Sequence, residues 1–336
     1  MILVIAEKPS VAQSIAKVLG ATSRKDGYME GGNYIVSWCF GHLVELADAS
    51  SYDERYAKWR YDDLPIVPES WMFEVTKDKA QQFKVLSALM KDKRVTELVC
   101  ATDAGREGEL IFRLVYNKAG CVKPFKRLWI SSLEDSAIRE GFQHLRDGKE
   151  YDRLYEAALS RSKADWIVGI NGTRLFTTLY HKKLVVGRVQ TPTLAMLVER
   201  DGKISTFQKE KYFNVHVGKG DLTADLEKVK TEEEAKRIAA ACEKKQAVVS
   251  SLKQETKTVN PPKLYDLTTL QREANRYYGF TAQQTLDLVQ TLYEKKLLTY
   301  PRTDSQFITD DMEDTARQVI SIVCRQLPLF SDVSVT

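Results

Sequence analysis

The chain has 336 residues, 43% of them hydrophobic and 29% charged, which is globular composition on the scale of two or more domains. No apolar run approaches the length of a membrane span, and the start, Met1-Ile2-Leu3-Val4-Ile5-Ala6-Glu7, lacks a basic leader region and a cleavage site, so the sequence reads as soluble and cytoplasmic. A net charge of +4 excludes little, but five scattered cysteines without a CxxC pair and four scattered histidines argue against a disulfide framework and a Cys- or His-based metal site.

In chain order, Ile2 to Ala6 is an apolar, β-branched run suited to a buried strand. Lys8-Pro9-Ser10 turns the chain into a helix on which Val11, Ile15, Val18 and Leu19 recur at helical spacing, with Gly20 as the stop. The pattern returns at Glu97 to Asp103, where a short apolar run ends in an acid and a helix follows with Leu110, Ile111, Leu114 and Val115 on one side. Arg127 to Ser131 reads as a third strand and Ser132 to Leu145 as another helix. Residues 1–150 are therefore alternating α/β.

From Tyr151 to about Phe207 the pattern is mostly helical. Between Arg161 and Arg200 it carries seven Lys or Arg against two acids, a candidate phosphate-backbone footprint or, equally, a solvated helix face. Alternation at Phe213, Val215 and Val217, a turn at Gly218-Lys219-Gly220-Asp221, and alternation at Leu222, Ala224 and Leu226 predict a β-hairpin. Thr231 to Glu243 predicts an amphipathic helix and Ala247 to Leu252 another strand. After Asn260-Pro261-Pro262 come two helices. One runs from about Leu267 to Tyr278 and stops at Gly279; the other is opened by a Thr281/Gln284 capping box and carries Leu286, Val289, Leu292 and Tyr293 inward. Leu297 to Tyr300 then extends. This is the layout of a helix-turn-helix with a wing, a common DNA-docking unit, though many helix pairs bind nothing.

Two sets of residues carry candidate chemistry. Glu7 and Asp103 each end a predicted strand, and in open α/β sheets the ligand crevice lies at those carboxyl ends. Glu107, and Glu109 beyond it, could add to the cluster; hard oxygen ligands of this kind suit Mg²⁺. Acids in a first helical turn are also favoured by the helix dipole without any metal, whereas a glutamate ending a buried strand has no such explanation. The second set is Leu297-Leu298-Thr299-Tyr300-Pro301-Arg302-Thr303-Asp304. A phenol is a weak nucleophile when free, but a guanidinium fork two residues on suits phosphate oxygens, and Pro301 holds the tyrosine at the end of an element. Taken alone, Tyr-Pro-Arg is more often a strand end with a surface arginine.

Together these segments resemble a known family. Glu7-Lys8-Pro9-Ser10 and Ala101 to Glu109 look like the two halves of a Toprim metal site. Asp165-Trp166, Gly169-Ile170-Asn171, Thr173-Arg174, Val186 to Thr193 and the Tyr300 motif resemble type IA DNA topoisomerases. The start, Gly41-His42-Leu43 and Trp59 to Pro65 point to the bacterial topoisomerase III group, and the matches span nearly the whole chain in order.

The resemblance implies a multidomain α/β + α protein. A Rossmann-like Toprim domain (1–150) would precede a helical DNA-groove domain (151–210), part of a β arch (211–259) and a winged-helix-like tyrosine domain (260–336). It implies ATP-independent passage of DNA strands through a transient single-strand break. Tyr300 would form a 5′-phosphotyrosine, Glu7 would protonate the leaving 3′ oxygen, and Lys8 and Arg302 would stabilise the phosphoryl charge. Glu7, Asp103 and Glu107 would hold Mg²⁺. Arg161, Asp165, Thr173, Arg174, Gly187, Arg188, Val189, Gln190, Thr191 and Pro192 would line the groove for single-stranded or negatively supercoiled DNA, with Arg302 at the phosphate and Trp59 as a contact. A helicase partner is left open, and no membrane is implied.

Two departures stand out. The family's Asp-x-Asp-x-Glu reads Asp103-Ala104-Gly105-Arg106-Glu107, so glycine replaces a carboxylate and the number of bound ions is open. The chain also ends 36 residues after Tyr300, before a downstream histidine and the returning arch expected of the family, so it reads as a fragment. Docking of Tyr300 over Glu7 is left open on that account. The rival readings are a Toprim primase or nuclease, which needs neither Tyr300 nor the Val186–Thr193 motif, and a catalytically inactive single-strand-binding fragment.

Overall fold

The structure is a computed structural model that describes residues 1–226, 228–246, 248–303, 305–308 and 312–327. Residues 1–188 and 262–336 form one compact unit and residues 189–261 a second.

The first unit is built on a seven-stranded sheet. In chain order it contains β1 (Ile2–Ala6), α1 (Pro9–Leu19), β2 (Ser23–Lys25), β3 (Tyr28–Gly31), β4 (Tyr34–Trp38), β5 (Val44–Leu46) and β6 (Phe73–Val75). Then follow α2 (Ala80–Lys91), β7 (Glu97–Ala101), α3 (Arg106–Lys118), β8 (Phe125–Arg127), α4 (Asp135–Gln143), β9 (Arg146–Asp147) and the 29-residue α5 (Asp152–Tyr180). The sheet order is β2-β3-β4-β1-β7-β8-β9. The inner strands β4, β1, β7 and β8 are parallel, while β2, β3 and β9 pair antiparallel at the edges.

Parallel strands covered on both faces should be apolar at every position. In β1, Leu3, Val4, Ile5 and Ala6 are all buried. Alternate residues serve two layers. Leu3, Ile5, Leu98 and Cys100 pack with α2, α3 and Ala158 of α5 on one side. Val4, Ala6, Val99 and Ala101 pack with α1 and Ile138 of α4 on the other. Helix α1 opens with Pro9 and ends at Gly20, whose φ of 75° lets its amide reach the carbonyls of Ala16 and Lys17.

The third strand, expected over 127–131, lies earlier in the chain: β8 covers Phe125–Arg127, and Leu128 to Ser131 continue as irregular chain. Residues 44–75 form an excursion between β4 and α2, with β5 and β6 paired at its ends.

Within the second unit lie α6 (Gln190–Ser205), the hairpin β10 (His216–Lys219) and β11 (Leu222–Asp225), and α7 (Glu232–Cys242), capped by Thr231. The hairpin turns where predicted, with Gly220 at φ 59°. A small cluster of Val215, Val229 and Ala235 joins strand to helix. Of the strand expected over 247–252, Ala247 lies outside the described residues, while residues 248–252 are not in a strand: Val248, Val249 and Leu252 are exposed, and no strand among the described residues pairs with them.

Returning to the first unit, α8 (Leu267–Tyr278) ends at Gly279 and α9 (Ala282–Glu294) opens with the full Thr281/Gln284 capping box. Helix α10 (Glu313–Gln326) follows. Val289 and Tyr293 face inward as expected, but Leu292 is exposed and Thr285 takes an inward position. Residues 297–300 bend rather than pair, so among the described residues the helix-turn-helix carries no wing.

Candidate active site

Register decides the site. β1 and β7 are adjacent and parallel, with Ala6 opposite Ala101, so the residues that follow them leave the sheet side by side at its carboxyl edge. Glu7 and Asp103 meet there, and the Asp103 amide donates to Glu7 Oε2 at 3.4 Å. Both carboxyl groups are held above the usual carboxylate range. Burial is the main cause for each, and it pushes Glu7 up to about 7 with the Asp103 charge adding to it. Lys8 and Arg302 oppose that shift for both groups.

The loop carrying Asp103 is fixed by residues whose roles the sequence does not announce. Arg127, fully buried at the end of β8, donates through Nη1 to the carbonyls of Cys100, Thr102 and Leu128, at 3.1, 2.8 and 2.7 Å. Its Nη2 reaches the Asp103 carbonyl at 2.6 Å. The charge is met by Glu109, also fully buried, with Arg127 Nε 3.1 Å from Oε2. Arg113 takes the other Glu109 oxygen at 2.9 Å and continues to Asp152 at 2.7 Å. Glu109, a sequence candidate for the acidic cluster, therefore lies beneath the loop as its counter-ion. Gly108 is needed for the approach of α3, since a Cβ there would stand 2.1 Å from the Asp103 carbonyl oxygen. A long-range Arg–Glu pair of this kind has no local sequence signal; a charged residue opening the predicted third strand is the only trace of it.

Tyr300 docks on this edge. Its amide donates to the Ser131 carbonyl at 2.9 Å, its ring packs on the α1 side of the sheet, and Tyr293 meets it edge-to-face at 5.5 Å between centroids. The phenol lies close enough to the Asp103 carboxylate for each to shift the other's titration. Burial, followed by the charges of Asp103 and Glu7, pushes the phenol above its usual range, and Arg302 pulls the other way. Lys8 lies 3.4 Å from Glu294 of α9, and Lys296 pairs with Asp135 of α4, so two ion pairs join the tyrosine segment to the sheet.

Glu7, Lys8, Asp103, Tyr300 and Arg302 are thus brought together. Glu107 is set apart: it faces His42 at 3.6 Å and is half exposed. Among the described residues no group of three or more His, Cys, Asp or Glu is arranged to hold a metal ion. Two crowded carboxylates with raised affinity for protons do fit Mg²⁺, which binds through one or two carboxylates plus waters and substrate phosphate. They do not form an all-protein cage.

The expected DNA-groove residues divide by role and by unit. In the first unit Asp165 pairs with Arg188 and lies 3.9 Å from Arg161. Thr173 exchanges hydrogen bonds with the Val186 backbone. Arg174 is buried, where it donates to the Tyr56 carbonyl at 2.7 Å and lies over the exposed Trp59 ring at 5.4 Å. Trp166 donates to the Ala47 carbonyl, and Asn171 bonds both backbone groups of Ile66. Trp166, Asn171 and Arg174 of the helical signature on α5 therefore fasten the 44–75 excursion. Gly187 lies in the same unit. Val189, Gln190, Thr191 and Pro192 open α6 in the second unit and are exposed.

Residues 149–333 match the family model described as DNA topoisomerase, which is more than half of the chain. The chain belongs to the DNA topoisomerase family. Residues 2–133 of this topoisomerase-family chain match the Toprim domain. It is 46% identical over 323 residues to DNA topoisomerase 3 of Bacillus subtilis, covering 94% of this chain and 44% of that protein. With DNA topoisomerase 3 of Staphylococcus haemolyticus it is 46% identical over 320 residues, 94% of this chain and 45% of that protein. The full-length topoisomerase I of Thermotoga maritima superposes with a TM-score of 0.66 at 26% identity, over 96% of this chain and 52% of that one. The chain spans a little under half the length of the curated relatives it matches. No helix among the described residues is long and apolar enough to cross a membrane.

Proposed function

We propose that this chain carries the cleavage-and-rejoining centre of a type IA, topoisomerase III-like enzyme acting on single-stranded or negatively supercoiled DNA in the bacterial cytoplasm. One arrangement carries the reading: Tyr300 is seated at the sheet edge where Glu7 and Asp103 meet, and burial there raises the Glu7 carboxyl well above its ordinary range.

Those two carboxyl groups divide the proton work. The Tyr300 oxygen bonds to phosphorus as its proton passes to the Asp103 carboxylate. The bond from phosphorus to the 3′ oxygen breaks, and that oxygen takes the Glu7 proton. Lys8 and Arg302 meet the charge that builds on the phosphoryl oxygens; to do so Lys8 exchanges Glu294 for phosphate. The products are a free 3′ hydroxyl and a 5′-phosphotyrosine, whose bond keeps the energy of the phosphodiester, so rejoining needs no ATP. Mg²⁺, when bound by Asp103 and by Glu7 once its proton has gone, would supply positive charge that aligns phosphate oxygens for rejoining; Glu107 joins only by leaving His42.

The polarity of attachment tests this. Single-stranded DNA labelled at its 3′ end should leave its label on the protein after denaturation, and DNA labelled at its 5′ end should release a shortened, labelled strand. Label retained from the 5′ end would overturn the reading.

A further inference from the structure

Beside Tyr300 lies a cavity of about 430 Å³, within the range of roughly 300–1,000 Å³ usual for small-molecule sites, whose lining includes Ala104 but neither Glu7 nor Lys8. Tyr300 and Arg302 form one wall. Trp129, fixed by stacking on Tyr151 at 5.1 Å and by the Arg127 guanidinium, lines it too. Tyr265 and Phe307 supply two rings with most of their area free, 53% and 72% exposed. The rim is built rather than loose. The Leu267 amide donates to the Thr303 carbonyl, Gln306 bonds Asp266 at 2.9 Å, and Lys263 lies over the Phe307 ring at 4.9 Å.

In-line displacement sets what this cavity faces. The attacking phenol oxygen and the leaving 3′ oxygen must lie on opposite sides of phosphorus, so the leaving strand departs toward Glu7, its proton donor. The 5′ oxygen is equatorial and remains bonded, so its nucleoside leaves the phosphate to one side of the line between the phenol and Glu7. We propose that the cavity is a nucleobase site for the first nucleotide of the covalently held strand, with its base against Tyr265 and Phe307 and its 5′-phosphate at Arg302. The assignment rests on Tyr300 being the nucleophile. Ring faces beside an arginine and a lysine are the combination that binds single strands, by stacking with little regard to base identity. Holding that base would keep the 5′ end aligned for rejoining while the other strand segment moves.

The test needs no cleavage. A 5′-phosphorylated tetranucleotide with 2-aminopurine as its first base is titrated with the chain, and fluorescence and anisotropy are read together. Stacking should quench the probe at least threefold on binding, and quenching should disappear when 2-aminopurine is moved to the third position. Phe307→Ala and Tyr265→Ala alter exposed rings, so folding is not at stake; each should weaken binding roughly tenfold. Removing the 5′-phosphate should weaken wild type and Phe307→Ala alike. A probe that stays bright when bound, no binding at all, or ring variants that bind like wild type would each overturn the proposal. Adduct formation on unmodified DNA, measured in parallel, reports on Tyr300 alone, so failure of the pocket and failure of the proposed chemistry are told apart.

Discussion

At the scale of single residues, Glu7 sets a pH dependence whose sign follows from its burial. Its carboxyl is raised from an ordinary value of 4.5 to about 7, so the folded protein binds this proton more tightly than the unfolded chain does. The group's contribution to stability is complete below pH 4.5 and declines as pH rises toward 7, by at most about 3 kcal/mol, with Asp103 acting in the same direction. Thermal melts in chelator between pH 5 and 8 should show that decline, and Glu7→Gln should flatten it; parallel profiles for the two proteins would contradict the assignment. Gly105 makes a second residue-scale case. It sits at the N-cap of α3 in extended backbone, and a Cβ there would meet nothing within 4 Å. Gly105→Asp therefore costs no packing, gains a favoured N-cap, and adds a carboxylate near the pair. Calorimetric titration should show Mg²⁺ bound about tenfold more tightly. Unchanged affinity would mean that Glu107 or water already fills that place.

At the scale of elements, the Asp103 loop depends on a buried ion pair between β8 and α3. Arg127→Met would leave Glu109 charged and unpaired except by Arg113, at a cost of about 3–5 kcal/mol, and adding Glu109→Leu should recover the share due to that charge but not the share due to the four carbonyls Arg127 serves. Urea unfolding of the single and double variants decides it; a single variant as stable as the double would show that the pair carries no load. This network also marks the limit of what the sequence discloses. Glu7 and Asp103 are readable because an acid ending an apolar strand is a local pattern, and β-strand adjacency then brings them together. Glu109 has the same local setting as Glu107, and only Arg127, arriving from another strand, makes one a buried counter-ion and leaves the other half exposed. The DNA-facing role expected of Arg174, and the plain family signature at Trp166 and Asn171, miss their structural part for the same reason. Their partners Ala47, Ile66 and Tyr56 are more than a hundred residues away in sequence. The strand expected at 247–252 fails differently over its described part: β-branched content favours a strand, but a strand needs a neighbour, and among the described residues none pairs with Val248 to Leu252.

At the scale of the whole molecule, the α/β layering, the hairpin and the α8–α9 pair were all legible from periodicity and turn residues, because each is set by local pattern. The excursion at 44–75, with its short strands and irregular turns, was not, since its placement is decided by α5. The basic stretch from Arg161 to Arg200 yields a measurable consequence. Single-stranded DNA binding should weaken with salt, the logarithmic slope falling by about 0.7 for each phosphate contact removed, as in Arg161→Ala. Binding indifferent to salt would mean that this stretch is a solvated face. The central claim concerns Tyr300, and its most direct measurement is covalent. The chain is incubated with single-stranded DNA and Mg²⁺, denatured and digested, and the peptides are mapped by mass spectrometry. A nucleotide-bearing peptide should contain Tyr300, and the adduct should be absent from Tyr300→Phe. An adduct that persists in that variant, or maps to another residue such as Tyr293, would contradict the account.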